Sequence, residues 1–291
     1  MRYIKLLVFL FYFTGCFGQK SSIEKYDLAY FRDNKGSFVI QLNTKQERLI
    51  PEAYDPCISA DGLKIVYTKY SSGIKSINVL DLKTSKETML NVSSDKLINP
   101  LWSPDNKHII FILKKDNVLK IGIIGIDNSN FKIFKNSSYL YSPTWTLDGQ
   151  SIIAHDFNYI FKFNLNGEII EKLEIDTPTK GAPLSSDTRF LFTSDNKFVI
   201  WNGGIHEYYP GSEGPDEAIF AYNFETRERI QLSPKGIIAF DPFINSNNEI
   251  YFTGYKGYKE IGKIYKIDLY SKEMTLVIDS AKQPTCRNLK F

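Results

Sequence analysis

A short unit recurs along this chain, and the recurrence restricts the fold more than any other feature of the sequence. Its clearest copy is NPLWSPDNKHIIF at 99–111. Other copies are DPCISADGLKIVY (55–67), SPTWTLDGQSIIA (142–154), APLSSDTRFLF (182–192) and DPFINSNNEIYF (241–252). Their prolines, about 40 to 60 residues apart, are Pro56, Pro100, Pro143, Pro183 and Pro242. Such a period indicates an array of similar structural units.

Each part of the unit predicts a local structure. The polar residue before the proline is expected to be extended, because proline disfavours a helical neighbour. Asp-Gly and Asp-Asn pairs such as Asp61-Gly62 favour tight turns. The next run is apolar at consecutive positions, as in 109–111, which is typical of a strand covered on both faces. Alternating strands such as 77–82 follow, and helices should be scarce. We therefore predict all-β, four-stranded antiparallel blades of a β-propeller.

The two ends of the chain complete one blade between them. LAYF at 28–31 matches the doubly covered strand but lacks the proline-led strand before it. QPTCRNLKF at 283–291 supplies that missing strand. Five internal units and one shared blade predict a six-bladed ring, closed so that no long strand edge stays unpaired.

The N-terminus has the layout of an export signal over residues 1–18. Arg2 and Lys5 precede an apolar core at 6–13, which is too short to span a bilayer. Small residues before Gln19 predict simple cleavage there, whereas residues 13–16 resemble a lipobox that would lipidate Cys16. We expect a short linker at 19–25, a propeller at 26–291 and no transmembrane segment. The protein should be exported, either periplasmic or secreted, or else lipid-anchored to the outer membrane.

Composition narrows the class of partner. The chain has 36 Lys and Arg against 33 Asp and Glu, and 43% hydrophobic residues. The near balance of charge argues against a nucleic-acid-binding protein, which normally has a basic excess. The apolar content is sufficient for a large core.

The repeat resembles a known family. The pattern P-x-W-S-x-D-G is carried best by residues 102–105 and next by Trp145 and Asp148. It is similar to the WD-type propeller repeat of the TolB family, whose namesake belongs to the periplasmic Tol system. The resemblance implies a propeller fold and the same compartment. It covers the propeller part only, because residues 19–26 leave no room for that family's N-terminal α/β domain.

One candidate site is the set of residues that precede the prolines, which should converge at one mouth of the channel. They are Asp55, Asn99, Ser142, Asp241 and Gln283. Converging oxygens could bind a polar ligand, a peptide end or Ca²⁺. The alternative is that they only solvate the channel and start strands.

A second candidate is the long segment WNGGIHEYYPGSEGPDE at 201–217. Trp201, His206, Tyr208 and Tyr209 could form a partner-binding loop, or could pack on the blade beneath.

Cys57 and Cys286 should lie on the innermost strands of neighbouring blades. They either form a disulfide or remain two buried thiols. They stand at different offsets from their prolines, which would point the side chains to opposite faces.

No catalytic or metal-binding pattern stands out, and the three histidines are dispersed. We therefore expect a monomeric, non-enzymatic platform without a cofactor that binds an envelope protein, a small ligand or a glycan. The alternatives are a propeller enzyme acting on carbohydrate at the channel mouth and a carbohydrate- or peptide-binding module.

Overall fold

The computed structural model describes residues 24–137, 139–205, 216–257 and 260–288. These residues form six four-stranded antiparallel sheets, arranged as the blades of a β-propeller. One edge strand of each blade is innermost, and around most of the ring these strands contact the innermost strands of neighbouring blades. The predicted fold class is confirmed.

The first three blades contain the first eleven strands of the chain together with its last strand. Blade 1 contains β1 (Leu28–Arg32), β2 (Gly36–Gln41) and β3 (Gln46–Ile50). Blade 2 contains β4 (Tyr54–Ile58), β5 (Lys64–Ser71), β6 (Ile74–Asp81) and β7 (Glu87–Ser94). Blade 3 contains β8 (Leu97–Trp102), β9 (His108–Lys115), β10 (Val118–Gly125) and β11 (Lys132–Ile133).

The second half of the ring continues in the same way. Blade 4 contains β12 (Tyr141–Trp145), β13 (Ile152–His155), β14 (Tyr159–Phe163) and β15 (Ile169–Glu174), and a single helical turn, α1 (Asp176–Thr179), follows it. Blade 5 contains β16 (Leu191–Phe192), β17 (Phe198–Gly204), β18 (Glu217–Asn223) and β19 (Glu228–Gln231). Blade 6 contains β20 (Ile238–Ile244), β21 (Glu249–Tyr255), β22 (Lys263–Asp268) and β23 (Met274–Ile278). The last strand, β24 (Lys282–Cys286), is the innermost strand of blade 1.

A hydroxyl-x-Asp turn joins the first two strands of four blades. In blade 3, Ser103 Oγ donates to Asp105 Oδ1 at 2.5 Å and accepts the His108 N–H at 2.9 Å. Equivalent side-chain bonds of 2.6 Å are those of Ser59 to Asp61, Thr146 to Asp148 and Thr193 to Asp195. The turn thus satisfies its own polar groups and fixes where the second strand begins.

The core lies between the blades. Ile109, Ile110 and Phe111 on β9 are fully buried, as predicted for a strand covered on both faces. Five apolar clusters each draw on neighbouring blades. Stability of the ring therefore depends on contacts between blades, because a single sheet cannot cover its own faces.

The ring closes through β24. It pairs antiparallel with β1, with Ala29 opposite Thr285. Arg287 Nε lies 2.8 Å from Asp27 Oδ1, and Thr285 Oγ1 accepts the Ile58 N–H of blade 2 at 3.0 Å. The predicted closure by strands from both ends is confirmed.

The backbone before the prolines differs from the prediction. Residues 55, 99, 142, 241 and 283 have φ between 44° and 56°, the left-handed region, and not the extended conformation. At each of these sites the pairing register shifts, so the residue and its proline form a bulge. Proline suits this position because it has no N–H to contribute to the ladder.

The fifth unit also begins later than predicted. The turn at Thr193 and Asp195 makes Leu191 equivalent to Leu101, so Arg189 takes the place assigned to Ala182. Phe190–Phe192 therefore belong to the innermost strand and not to the second strand. Within the described ranges, no helix is long and apolar enough to cross a membrane.

Candidate functional site

The antiparallel order gives the ring two distinct faces. Counted outward from the channel, the first and third strands of each blade begin at one face of the ring, and the second and fourth strands end there. We call this face the mouth face. The turns between first and second strands lie at the other face. All five predicted mouth residues lie near the beginning of innermost strands, on the mouth side.

Most of these mouth side chains already have hydrogen-bond or ion-pair partners in neighbouring residues. Asp55 accepts a hydrogen bond from Thr68 at 2.8 Å and lies 3.7 Å from Lys75 Nζ. Ser142 Oγ donates to the Ser186 carbonyl at 2.8 Å. These bonds hold the strand bulges in place, so the residues have a structural part whatever else they bind.

Asp241 faces a small hollow on the mouth side of blades 5 and 6. The hollow is lined by Asp187, Asn202, Ile238, Phe240, Asp241 and Tyr255. Burial, together with the charge of Asp187, raises the pKa of Asp241 against the opposing effect of Arg189. Burial also raises the pKa of Glu217, which accepts a 2.6 Å bond from Asn202.

Arg189 is the mouth residue that the sequence analysis missed. It occupies the blade 5 position equivalent to Asn99. The hydroxyl-x-Asp turn at 193–195 would have identified it, because this turn fixes where the innermost strand of blade 5 ends. Pro183 instead suggested an earlier start for the unit. A cation in the ring opposes the binding of Ca²⁺. Within the described ranges, no group of three or more His, Cys, Asp or Glu side chains is placed to hold a metal ion.

Trp201 does not belong to an exposed loop. It lies on β17, is fully buried, and stacks between Phe190 and Phe220 with ring centroids 6.2 and 5.5 Å away. Of the two alternatives for Trp201, packing on the blade is therefore the one that the structure shows, because the fifth unit begins later than predicted. His206, Tyr208 and Tyr209 lie outside the described residues.

An aromatic patch at the mouth face of blade 4 was not predicted. It consists of Tyr139, Tyr141 and Phe157. Tyr139 is 66% exposed and Phe157 is 41% exposed. The rings of Tyr141 and Phe157 lie 4.9 Å apart. Tyr139 and Phe157 have φ of 61° and 71°, a conformation that is costly for bulky residues.

Cys57 and Cys286 are buried, free thiols. Cys57 packs with the core of blades 2 to 4, and Cys286 packs with residues of blades 1 and 6. Thr285, not Cys286, occupies the position equivalent to Cys57. Of the two alternatives, the structure has the pair of buried thiols, because the two side chains leave their strands on opposite faces. Burial raises the pKa of Cys57 to about 11.

Comparisons with known proteins agree with this architecture. The family model for the TolB beta propeller domain matches residues 12–200. TolB from Acinetobacter baumannii has a TM-score of 0.69 at 16% identity, covering 90% of this chain and 67% of that chain. A putative TolB from Agrobacterium tumefaciens has a TM-score of 0.62 at 13% identity, covering 89% and 91%. Such low identities show the fold alone.

A third structure is the propeller of a protease. The β-propeller domain of the Trilobed protease from Pyrococcus furiosus, described as having an open velcro topology, has a TM-score of 0.56 at 16% identity. The likeness covers 84% of this chain and 74% of that one. The search of curated proteins gave no match. The family model covers more than half of the sequence, and the chain belongs to the TolB beta propeller domain family.

Proposed function

We propose that this propeller binds a protein partner of the cell envelope on its mouth face and has no chemistry of its own. Membership of the TolB propeller family supports a binding role. The observation that carries the proposal is the aromatic patch of Tyr139, Tyr141 and Phe157. Exposed aromatic side chains dominate the binding energy of many protein interfaces. Here two of them are held exposed by a left-handed backbone that a smaller polar residue would adopt at lower cost.

The strain at these two positions gives a direct test. Asparagine tolerates the left-handed region, so the double variant Tyr139→Asn/Phe157→Asn removes the exposed rings without distorting the backbone. We expect this variant to fold with a stability close to that of the wild type, because relief of backbone strain offsets the loss of the Phe157 ring contacts with Tyr141 and His155, and to lose its partner. The matched control is Tyr270→Asn, which removes a 62% exposed ring on the other face.

The measurement is affinity purification from the native envelope, with partners identified by mass spectrometry and then titrated as purified proteins. The proposal requires a partner whose affinity falls at least tenfold in the double variant and is unchanged in Tyr270→Asn. Equal affinity in all three proteins would place the interface elsewhere.

Export is part of the same proposal. Residues 1–18 would act as the signal, with cleavage before Gln19 or lipidation of Cys16 as the two routes. The intact mass of the protein recovered from the envelope distinguishes them, since only the lipidated form carries added acyl chains. A protein that retains residues 1–18 and stays in the cytoplasm would contradict export.

A second candidate function is carbohydrate binding, with or without hydrolysis, at the mouth hollow. The observation that favours it is the combination of Asp187, Asn202 and Asp241 with the ring of Tyr255 in one concavity. Polar groups that fix orientation beside an aromatic wall are typical of small-ligand sites. An oligosaccharide array probed with wild type and Asp241→Asn tests it. Binding that survives the substitution would exclude the hollow.

A further inference from the structure

Below the mouth, the central channel encloses a cavity. Innermost strands or adjoining turns of all six blades contribute to its wall. Leu101, Leu191 and Phe243 make much of it apolar. The free volume is about 60 Å³, which is space for a molecule of a few heavy atoms.

Arg189 brings a positive charge into this wall. The residue is only 8% exposed and lines the cavity. Its guanidinium makes no hydrogen bond with any residue that the structure describes, and no ion pair within 4.0 Å. A buried guanidinium whose N–H groups have no acceptor is costly, so a bound anion that accepts from them would stabilise the site. Asp241 and Asp187 lie on the mouth side, beyond ion-pair distance.

Trp102 contributes a second donor that lacks an acceptor. It is 6% exposed and lines the same cavity. Its Nε1–H finds no partner among the described residues. The equivalent indole, Trp145, instead donates to the Leu101 carbonyl at 3.2 Å. The Trp102 Nε1 is itself enclosed, however, so the N–H groups that a ligand in the cavity meets are those of the Arg189 guanidinium, and two of them match the two oxygens of a carboxylate.

We propose that the channel cavity binds a short-chain organic carboxylate, with the carboxylate on Arg189 and the alkyl tail against the apolar wall. A single cation favours a singly charged ligand. Phosphate and other polyanions fit less well, because Asp241 and Asp187 lie near the mouth side of the same channel. This site is separate from the aromatic patch, so it goes beyond the proposed envelope partner.

The test is titration of the full chain with butyrate, monitored by isothermal titration calorimetry and by tryptophan fluorescence emission. Trp102 and Trp145 both line the cavity, so binding should change the emission. We expect saturable binding that weakens about 10- to 100-fold in Arg189→Gln, since a charge-assisted bond is lost.

Two controls keep the outcome decisive. Arg227→Gln removes an exposed arginine of the same blade and should leave the affinity unchanged. Arg189→Lys keeps the charge but loses the planar fork, and it replaces Arg189→Gln if that variant does not fold. Absence of saturable binding at millimolar butyrate, equal affinity in the Arg189 variant, or equal affinity for sulfate would each overturn the proposal.

Discussion

The most informative single residue for stability is His155. It is fully buried beside Tyr141, Phe157 and Phe190, and its Nε2 lies 3.1 Å from the Thr188 carbonyl. That distance assigns the proton to Nε2. Nδ1 is left without a partner in the described part of the chain. Burial lowers the pKa of His155 to about 4, because the cationic ring cannot be solvated there.

This lowered pKa predicts a loss of stability in acid. The unfolded histidine titrates near 6.5, so between about pH 6.5 and 4 the unfolded state binds more protons than the folded state. The free energy of unfolding should therefore fall as the pH drops through this window, by about 3 kcal/mol in total. His155→Gln should remove this component. The measurement is urea unfolding at several pH values, taken as the difference between the two proteins. Parallel pH profiles would contradict the prediction.

Individual residues also show what the sequence could not reveal. Four of the five prolines, and Pro284, were correctly placed at the start of innermost strands, yet the residue before each of them is left-handed and not extended. Asp55, Asn99 and Asp241 are types that tolerate this backbone, whereas Ser142 and Gln283 give no such signal. The bulge is set by pairing with the second strand, which is tertiary information.

At the scale of the element, the fifth unit shows which part of the repeat was reliable. Pro183 predicted a unit beginning at Ala182, but the hydroxyl-x-Asp turn at Thr193 and Asp195 marks the true register. The turn is fixed by its own hydrogen bonds, whereas a proline can occur in any connection. Because of that error, Trp201 was assigned to a loop and Arg189 was not recognised as a mouth residue. The aromatic patch was missed because its exposure depends on how blade 4 packs.

Gly122 on β10 gives an element-scale prediction. It pairs with Phe111 on β9, and an added Cβ would lie 2.5 Å from the Phe111 ring. Phe111 is fully buried and cannot move aside, so Gly122→Ala should cost about 1–3 kcal/mol by overpacking. Gly257→Ala, where nothing lies within 4 Å, is the control. The double variant Gly122→Ala/Phe111→Leu should recover part of the loss in a denaturant titration. A Gly122→Ala protein as stable as Gly257→Ala would show that the strand pair can adjust.

At the scale of the whole molecule, ring closure connects the fold to the proposed channel site. The channel cavity is lined by residues of all six blades, so it exists only when the blades form a complete circle, whereas the aromatic patch lies on blade 4 alone. The pairing of β24 with β1 is a contact between opposite ends of the sequence. The sequence predicted this closure correctly, since the two incomplete units at the ends complement each other.

Closure by β24 predicts opposite results for two rearranged chains. A chain ending at Ala281 lacks β24, which leaves the inner edge of β1 unpaired and removes the Thr285 bond to blade 2. It should lose cooperative unfolding and aggregate. A circular permutant that joins residue 288 to residue 24 and opens at exposed Glu52 keeps every strand and makes blade 1 continuous. Its thermal midpoint should stay within a few degrees, and it should fold faster, because its most distant strand pairing becomes local. Calorimetry and stopped-flow refolding measure both effects. A truncated chain that unfolds cooperatively at the wild-type midpoint would show that β24 does not hold the ring together.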